Sequence, residues 1–322
     1  MFRCRALQIG QDVPKNGWTE AFRPTIRMMG TKWGAALAMT AALSAAGAGQ
    51  QDAELTLQLT RTPGVLRSGD AVLVSAHASA SLTGVEASAF GRPVAFWPGA
   101  DERQWYGLVG IDVESRPGTY DLEVRGIAAT GDAHARIPLL VESRKVETRR
   151  IRVAERFANP PQAEVPRILR DAERLANVLG HSLPTRFWRA GFVPPVPGAS
   201  TSSFGRVTVL NGRRGGPHRG VDFQAAEGTP VLAPNAGVVV LADDLYFTGN
   251  TVVVDHGAGL LSLMAHLSRI DVEQGRYVSS GELLGQSGST GRVTGPHMHW
   301  AMRLGGANID PLSLISALRQ FD

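Results

Sequence analysis

The chain is 322 residues long, with 33 Lys and Arg against 29 Asp and Glu, a formal net charge of +4. Six basic and two acidic residues lie in the first 48 positions, so residues 49–322 hold 27 of each sign and are neutral. That balance excludes a protein that gathers nucleic acid by bulk positive charge, and a single cysteine, Cys4, excludes an intrachain disulfide.

From the N-terminus, Lys32 is followed by an uncharged run, WGAALAMTAALSAAGA at residues 33–48, which closes on Ala46-Gly47-Ala48. Basic, apolar and small-residue regions in this order make a secretory signal peptide with an A-x-A cleavage site. The run is too short and too rich in alanine for a membrane span. Residues 1–48 are therefore expected to be a lead and signal peptide, with Met28 or Met29 as the functional start. The mature chain is expected in the periplasm, the cell envelope or outside the cell. Cys4 lies upstream of the apolar run, misplaced for lipid attachment.

About 270 residues remain, enough for two domains. The first, residues 53–150, reads as an all-β module. Leu55, Leu57 and Leu59 alternate, as do Val72 with Val74 and Tyr120 with Leu122 and Val124. Turns at Pro63-Gly64, Ser68-Gly69, Pro98-Gly99 and Pro117-Gly118 give sandwich-like strand spacing. Phe96, Trp97, Trp105 and Tyr106 are expected to pack in the core rather than to form a sugar-binding platform.

Residues 151–198 read as a helical and Pro-rich linker. Val165, Ile168, Leu169, Ala172, Leu175, Ala176 and Leu179 recur at helical spacing and give one apolar face. Asn159-Pro160-Pro161 bounds this helix in front and Gly180 behind. The approach through Phe187-Trp188 and Pro194-Pro195-Val196-Pro197-Gly198 reads as a stiff spacer.

Residues 199–322 carry the chemistry. Val238-Val239-Val240 and Val252-Val253-Val254, set among glycine turns, predict short antiparallel strands. Around them lie His218-Arg-Gly-Val-Asp222, Ala265-His266-Leu267-Ser268 and His297-Met298-His299. Residues two or four apart in a strand share a face, so His297 joins His299, and His218 joins Asp222. Gly215, Gly216, Pro217 and Gly220 argue against a helix there. Zinc takes nitrogen and oxygen donors, and a catalytic zinc uses three protein groups plus a water. The five side chains supply three ligands and two spare imidazoles, whereas a structural zinc ordinarily closes with four protein ligands. His77, His134 and His181 lie apart from this set, and His256 is read as closing a turn between strands.

The stretches Ser203-Phe204-Gly205, HRGVDF, GTPVLAPNAGVV, VDHGAGLLSLMAHLS and GQSGSTGRVTGPHMHW resemble the M23 family of zinc metallopeptidases, the lysostaphin-like or LytM-type peptidoglycan endopeptidases. The resemblance covers nearly all of residues 199–322. The stretch from Phe96 to Gly110 is similar to the immunoglobulin-like module that precedes the peptidase domain in some of these proteins. Together these likenesses imply a mainly β fold: an N-terminal immunoglobulin-like β-sandwich, a short helical linker and a C-terminal antiparallel β-sheet peptidase domain. They imply one Zn2+ per chain held by His218, Asp222 and His299, with His266 and His297 as the catalytic imidazoles. They also imply a substrate, the stem peptides or cross-links of peptidoglycan, cut at Gly-Gly bridges or at D-alanyl cross-links to a diamino acid. One position departs from the family pattern: Met264 stands where a tyrosine is usual, two residues before His266, and the hydroxyl is lost. Relatives that only bind peptidoglycan or activate an amidase lack some of these ligands or imidazoles. All five are present here, which favours an enzyme.

Overall fold

The computed structural model describes residues 55–189, 191–200 and 204–321. The expected signal segment, residues 1–48, and Cys4 lie outside them. The described chain is mainly β, and Ala53–Asp322 fall into a single compact unit.

The N-terminal part is two facing sheets. One has the strand order Leu57–Thr62, Ala71–Ala78, Gln104–Gly110, Phe96–Pro98. The other runs Leu66–Arg67, Gly131–Glu142, Gly118–Ala128, Gly84–Ala89, Arg92–Pro93. Leu122 and Val124 point inward between exposed Asp121 and Glu123, the alternation expected of a half-buried strand. They meet Val72, Val74 and Val109 of the first sheet in one core.

The first sheet departs from simple alternation. Ala71, Val72, Leu73 and Val74 are all buried, because Val72 and Val74 face the second sheet while Ala71 and Leu73 join the core of the C-terminal half. A strand covered on both faces reads as a continuous apolar run. Contact there is close: a Cβ on Gly110 would lie 2.7 Å from the Leu304 carbonyl oxygen.

The C-terminal half is a nine-stranded sheet. Its main path is Gly220–Phe223, Met298–Leu304, Leu260–Ile270, Gly249–Gly257, Gly237–Leu245, Tyr277–Val278, and every pair is antiparallel, as expected from the valine runs. One face supplies Val252, Val254, Met264 and Trp300 to the large core shared with the N-terminal sheet and the helix Pro311–Leu318. The opposite face, with Leu241, Val253, Leu263 and Ala265, is covered by Leu175, Val178 and Leu179. Those three residues belong to the helix Val165–Gly180; Leu175 and Leu179 are from the stripe read from sequence, Val178 was not, and Leu169, Ala172 and Ala176 of that stripe are exposed. None of the described helices is long and apolar enough to cross a membrane.

The approach expected as a spacer is part of the core. Trp188, Phe192 and Val196 are buried, and Trp188 meets Trp97 edge-on with ring centroids 5.0 Å apart. Arg186 lies over both rings, 5.0 Å from Trp97 and 4.8 Å from Trp188. Proline stiffness was legible, but apolar residues spaced between prolines also bury well when a sheet lies beneath them. Trp97 is thus a core residue, as expected of these aromatics.

A second junction is ionic. Arg144 donates to the Ser68 carbonyl at 2.7 Å and to Asp70 at 2.5 Å from one side, and reaches Asp310, the N-cap of the helix Pro311–Leu318, at 3.3 Å. Burial pushes both carboxyls up while the guanidinium opposes the rise.

Candidate metal centre

Three neighbouring strands bring the predicted residues together. Asp222 lies opposite His299 in the pairing of Gly220–Phe223 with Met298–Leu304, and Ala265 lies opposite His299 on the other side. His218 precedes the first of these strands. Its N–H donates to the Arg206 carbonyl at 2.9 Å, and its own carbonyl accepts from Gly205 N–H at 2.8 Å. Beside it, Arg219 pairs with Glu114 of the N-terminal part at 3.0 Å, an exposed pair that contributes little free energy.

His218, Asp222 and His299 converge at single atoms. His218 Nε2 is 3.0 Å from His299 Nδ1, His299 Nδ1 is 3.0 Å from Asp222 Oδ1, and His218 Nε2 is 3.3 Å from Asp222 Oδ1. A tetrahedral zinc with bonds of about 2.0–2.1 Å holds its ligand atoms roughly 3.3 Å apart. The two-nitrogen, one-oxygen triangle therefore has the size and donor chemistry of a zinc site with a fourth position left over. Gly220 makes room for it: a Cβ there would lie 2.6 Å from His299 Cε1.

His266 and His297 stand beside this triangle. Their ring centroids are 4.9 Å apart, and His266 is 5.9 Å from His299. Each has its Nδ1 on a main-chain carbonyl, that of Thr290 for His266 and that of Gly295 for His297, both at 2.9 Å. A carbonyl only accepts, so in the neutral ring Nδ1 carries the proton and Nε2 presents its lone pair. His297 Nε2 is 3.8 Å from Asp222 Oδ1.

His266 reaches the centre through an irregular backbone. The register against Gly249–Gly257 jumps from Val252↔Met264 to Asn250↔Leu267, so the Leu260–Ile270 strand carries one extra residue there. At this β-bulge His266 has φ 65° and donates its N–H to the Thr248 carbonyl at 2.9 Å. Met264 keeps the strand's alternation and is fully buried in the apolar core. Without the bulge, His266 would share its face.

The electrostatics follow from burial and neighbours. Burial by itself would raise the Asp222 carboxyl, but the hydrogen bonds and charges of His218 and His299 outweigh it and hold the group ionised, below the usual carboxylate range. Burial lowers His299, with Asp222 opposing. Burial, then the neighbouring His299 and His297, lowers His266 to about 3, so it is neutral at physiological pH.

His256 is elsewhere. It sits at the end of Gly249–Gly257, fully buried, with Nδ1 on the Ala236 carbonyl and Nε2 on Ser262 Oγ, both at 2.8 Å. Sequence reading used Gly220 only as an argument against a helix, and it gave no role to Thr290 and Gly295. Only the glycine-rich text around His297 hinted at the last two, since a carbonyl's contribution leaves no mark in residue type.

Comparison with known proteins agrees with this geometry. The profile of Peptidase family M23 matches residues 216–311, a span containing all five side chains. A crystal structure from Pseudomonas aeruginosa assigned to peptidase M23 is 34% identical, with a TM-score of 0.61, over 78% of this chain and 95% of that one. This chain belongs to peptidase family M23. Among other M23-like sequences, it is 42% identical over 100 residues to peptidoglycan DD-endopeptidase ShyA of Vibrio cholerae, covering 31% of this chain and 23% of that protein. It is likewise 42% identical over 97 residues to DD-carboxypeptidase/endopeptidase Mpg of Neisseria meningitidis serogroup B, covering 30% and 22%. This M23 chain therefore spans less than a quarter of the length of these curated relatives.

Proposed function

We propose that this chain is a zinc-dependent endopeptidase that hydrolyses peptide bonds of peptidoglycan, in cross-links or stem peptides. The observation that carries the reading is the 3.0–3.3 Å triangle of His218, Asp222 and His299 with two oriented imidazoles against it. Family membership and the names of the relatives support the substrate class.

His218 Nε2, Asp222 Oδ1 and His299 Nδ1 would hold the metal. When bound, zinc supplies a water ionised near neutral pH and polarises a carbonyl as a Lewis acid. The chain's own part is proton handling and orientation. Thr290 and Gly295 fix the tautomers of His266 and His297, leaving both Nε2 atoms able to take a proton or, once protonated, to give it to a leaving amine. A protonated imidazole also donates to an oxygen that gains charge. Asp222, held ionised, balances the cation. Such a substrate places the protein outside the cytoplasm, in line with the signal-like order of residues 32–48.

The test is metal analysis of the purified chain together with mass spectrometry of products from purified sacculi, with chelator and after zinc is restored. About one zinc per chain is expected, with muropeptides released only in its presence. Intact sacculi after incubation with the zinc-loaded chain would refute the reading.

A further inference from the structure

Residues 49–322 are neutral as a whole, but their charge is unevenly spread. Residues 144–156 and 206–217 together hold nine basic side chains and two acidic ones, a local net charge of +7 that the rest of this span balances. They meet in one small sheet and its flanks. Thr148–Ile151 runs parallel to Val207–Leu210, which turns at Asn211-Gly212 (φ 46° and 86°) into the antiparallel Arg213–Pro217. Positive φ at both turn residues is what a two-residue hairpin requires.

Register places cations on both faces. Arg150 and Arg214 each lie opposite Val209, while Arg149 lies opposite Thr208 and Arg213 opposite Leu210 on the other face. Arg149, Arg150, Arg152, Arg213 and Arg214 are all exposed. None has an ion pair or a side-chain hydrogen bond among the described residues, whereas Arg144 and Arg219 nearby pair with carboxylates. The face of Arg149 and Arg213 leads to the metal triangle. Thr208 and Arg206 follow Leu210 on it, and Arg206 stands opposite His218, its carbonyl accepting His218 N–H at 2.9 Å. Leu210 to Arg206 spans about 13 Å at roughly 3.3 Å per residue, the length of an extended peptide of about four residues.

Unpaired cations in a group attract a polymer with repeated anions, and arginine's planar fork fits the two oxygens of a carboxylate. None of the exposed large apolar residues lies on these strands, so they offer no anchor for a lipid surface. Neither segment holds an aromatic side chain on which a nucleobase would stack. We propose that this arginine sheet is a docking site, remote from the reacting bond, for the free carboxylates of wall peptides beside the one being cut. It rests on the peptidoglycan reading above and adds a second place where that substrate is held.

The test compares two variants of the zinc-loaded chain. One combines Arg149→Gln, Arg150→Gln, Arg213→Gln and Arg214→Gln; the other combines Arg136→Gln, Arg170→Gln, Arg269→Gln and Arg276→Gln, exposed positions that remove the same charge elsewhere. Binding to purified sacculi is read by cosedimentation on ice. The first variant should bind roughly tenfold or more weakly than the wild type at low salt, and the second should match the wild type. Raising salt from about 50 to about 300 mM should bring the wild type down to the first variant, because exposed charges are screened. Sacculi with amidated carboxylates should bind the wild type as poorly, and lysine at the four positions should keep part of the binding. Full binding by the first variant, an equal loss in the second, undiminished binding to amidated sacculi, or tighter binding to phosphatidylglycerol vesicles than to sacculi would overturn the assignment. Amidated sacculi decide the matter if the first variant does not fold, since they leave the chain untouched. Warming the same samples separates the two readings. Salt-sensitive binding without muropeptide release keeps the docking site and removes the endopeptidase, while release with salt-insensitive binding removes the docking site.

Discussion

His256 and His266 lie on neighbouring strands of one sheet, both buried, and burial is the leading cause that lowers each, to about 4 and about 3. They differ in what their nitrogens meet. His256 is closed: Ala236 and Ser262 take both nitrogens, and Phe192 packs edge-on with centroids 4.9 Å apart. His266 has Thr290 on Nδ1, no partner for Nε2 among the described residues, and two further imidazoles within 6 Å of its ring. Burial and a low pKa do not mark a working imidazole. What sets the proposed working imidazole apart is an unfilled nitrogen beside other donors.

The contrast can be broken in four ways. The largest effect belongs to a proposed ligand: His299→Ala should lose zinc and all measurable turnover, read by metal content and muropeptide release. Retention of stoichiometric zinc would remove His299 from the ligand set. His266→Ala should keep zinc yet lower kcat by roughly 10²–10⁴-fold, the usual worth of a positioned proton carrier; full turnover would return His266 to the class of His256.

Stability effects come next. Arg144→Met leaves Asp70 and Asp310 buried without their cation and should cost about 3 kcal/mol at pH 8 in denaturant melts. The loss should shrink at pH 4.5, because burial already raises both carboxyls and protonation relieves them. A larger loss at pH 4.5 would contradict that.

His256→Gln should cost about 1–2 kcal/mol at pH 7.5, leaving turnover per folded molecule unchanged. Its pH dependence follows from the sign of the shift. The folded value, about 4, lies below the ordinary 6.5, so folding favours the neutral ring. That stability is whole above pH 6.5 and is lost as the pH falls toward 4, about 3 kcal/mol in all. With chelator present throughout, the variant should lose less stability than the wild type between pH 7.5 and 4.5. An identical slope would remove His256 as a source of the acid sensitivity.

Much of this was legible along the chain. Alternating Leu122 and Val124 foretold a half-buried strand, and the stripe from Val165 to Leu179 foretold the helix, because side-chain periodicity survives in sequence. Trp188, Phe192 and Val196 were harder. Their prolines signalled stiffness, while their burial depends on a sheet assembled from distant strands.

The sequence by itself determined which donors this protein owns and in what order: His218, Asp222, His266, His297 and His299, with glycine where His299 needs room. Tertiary structure alone decided how they meet. Strand pairing sets Asp222 opposite His299, a bulge turns His266 off the face it would share with Met264, and two loop carbonyls set both imidazole tautomers. The reason is physical. Donor chemistry resides in side chains, which sequence records, whereas register, left-handed φ and carbonyl direction belong to a backbone common to all residues.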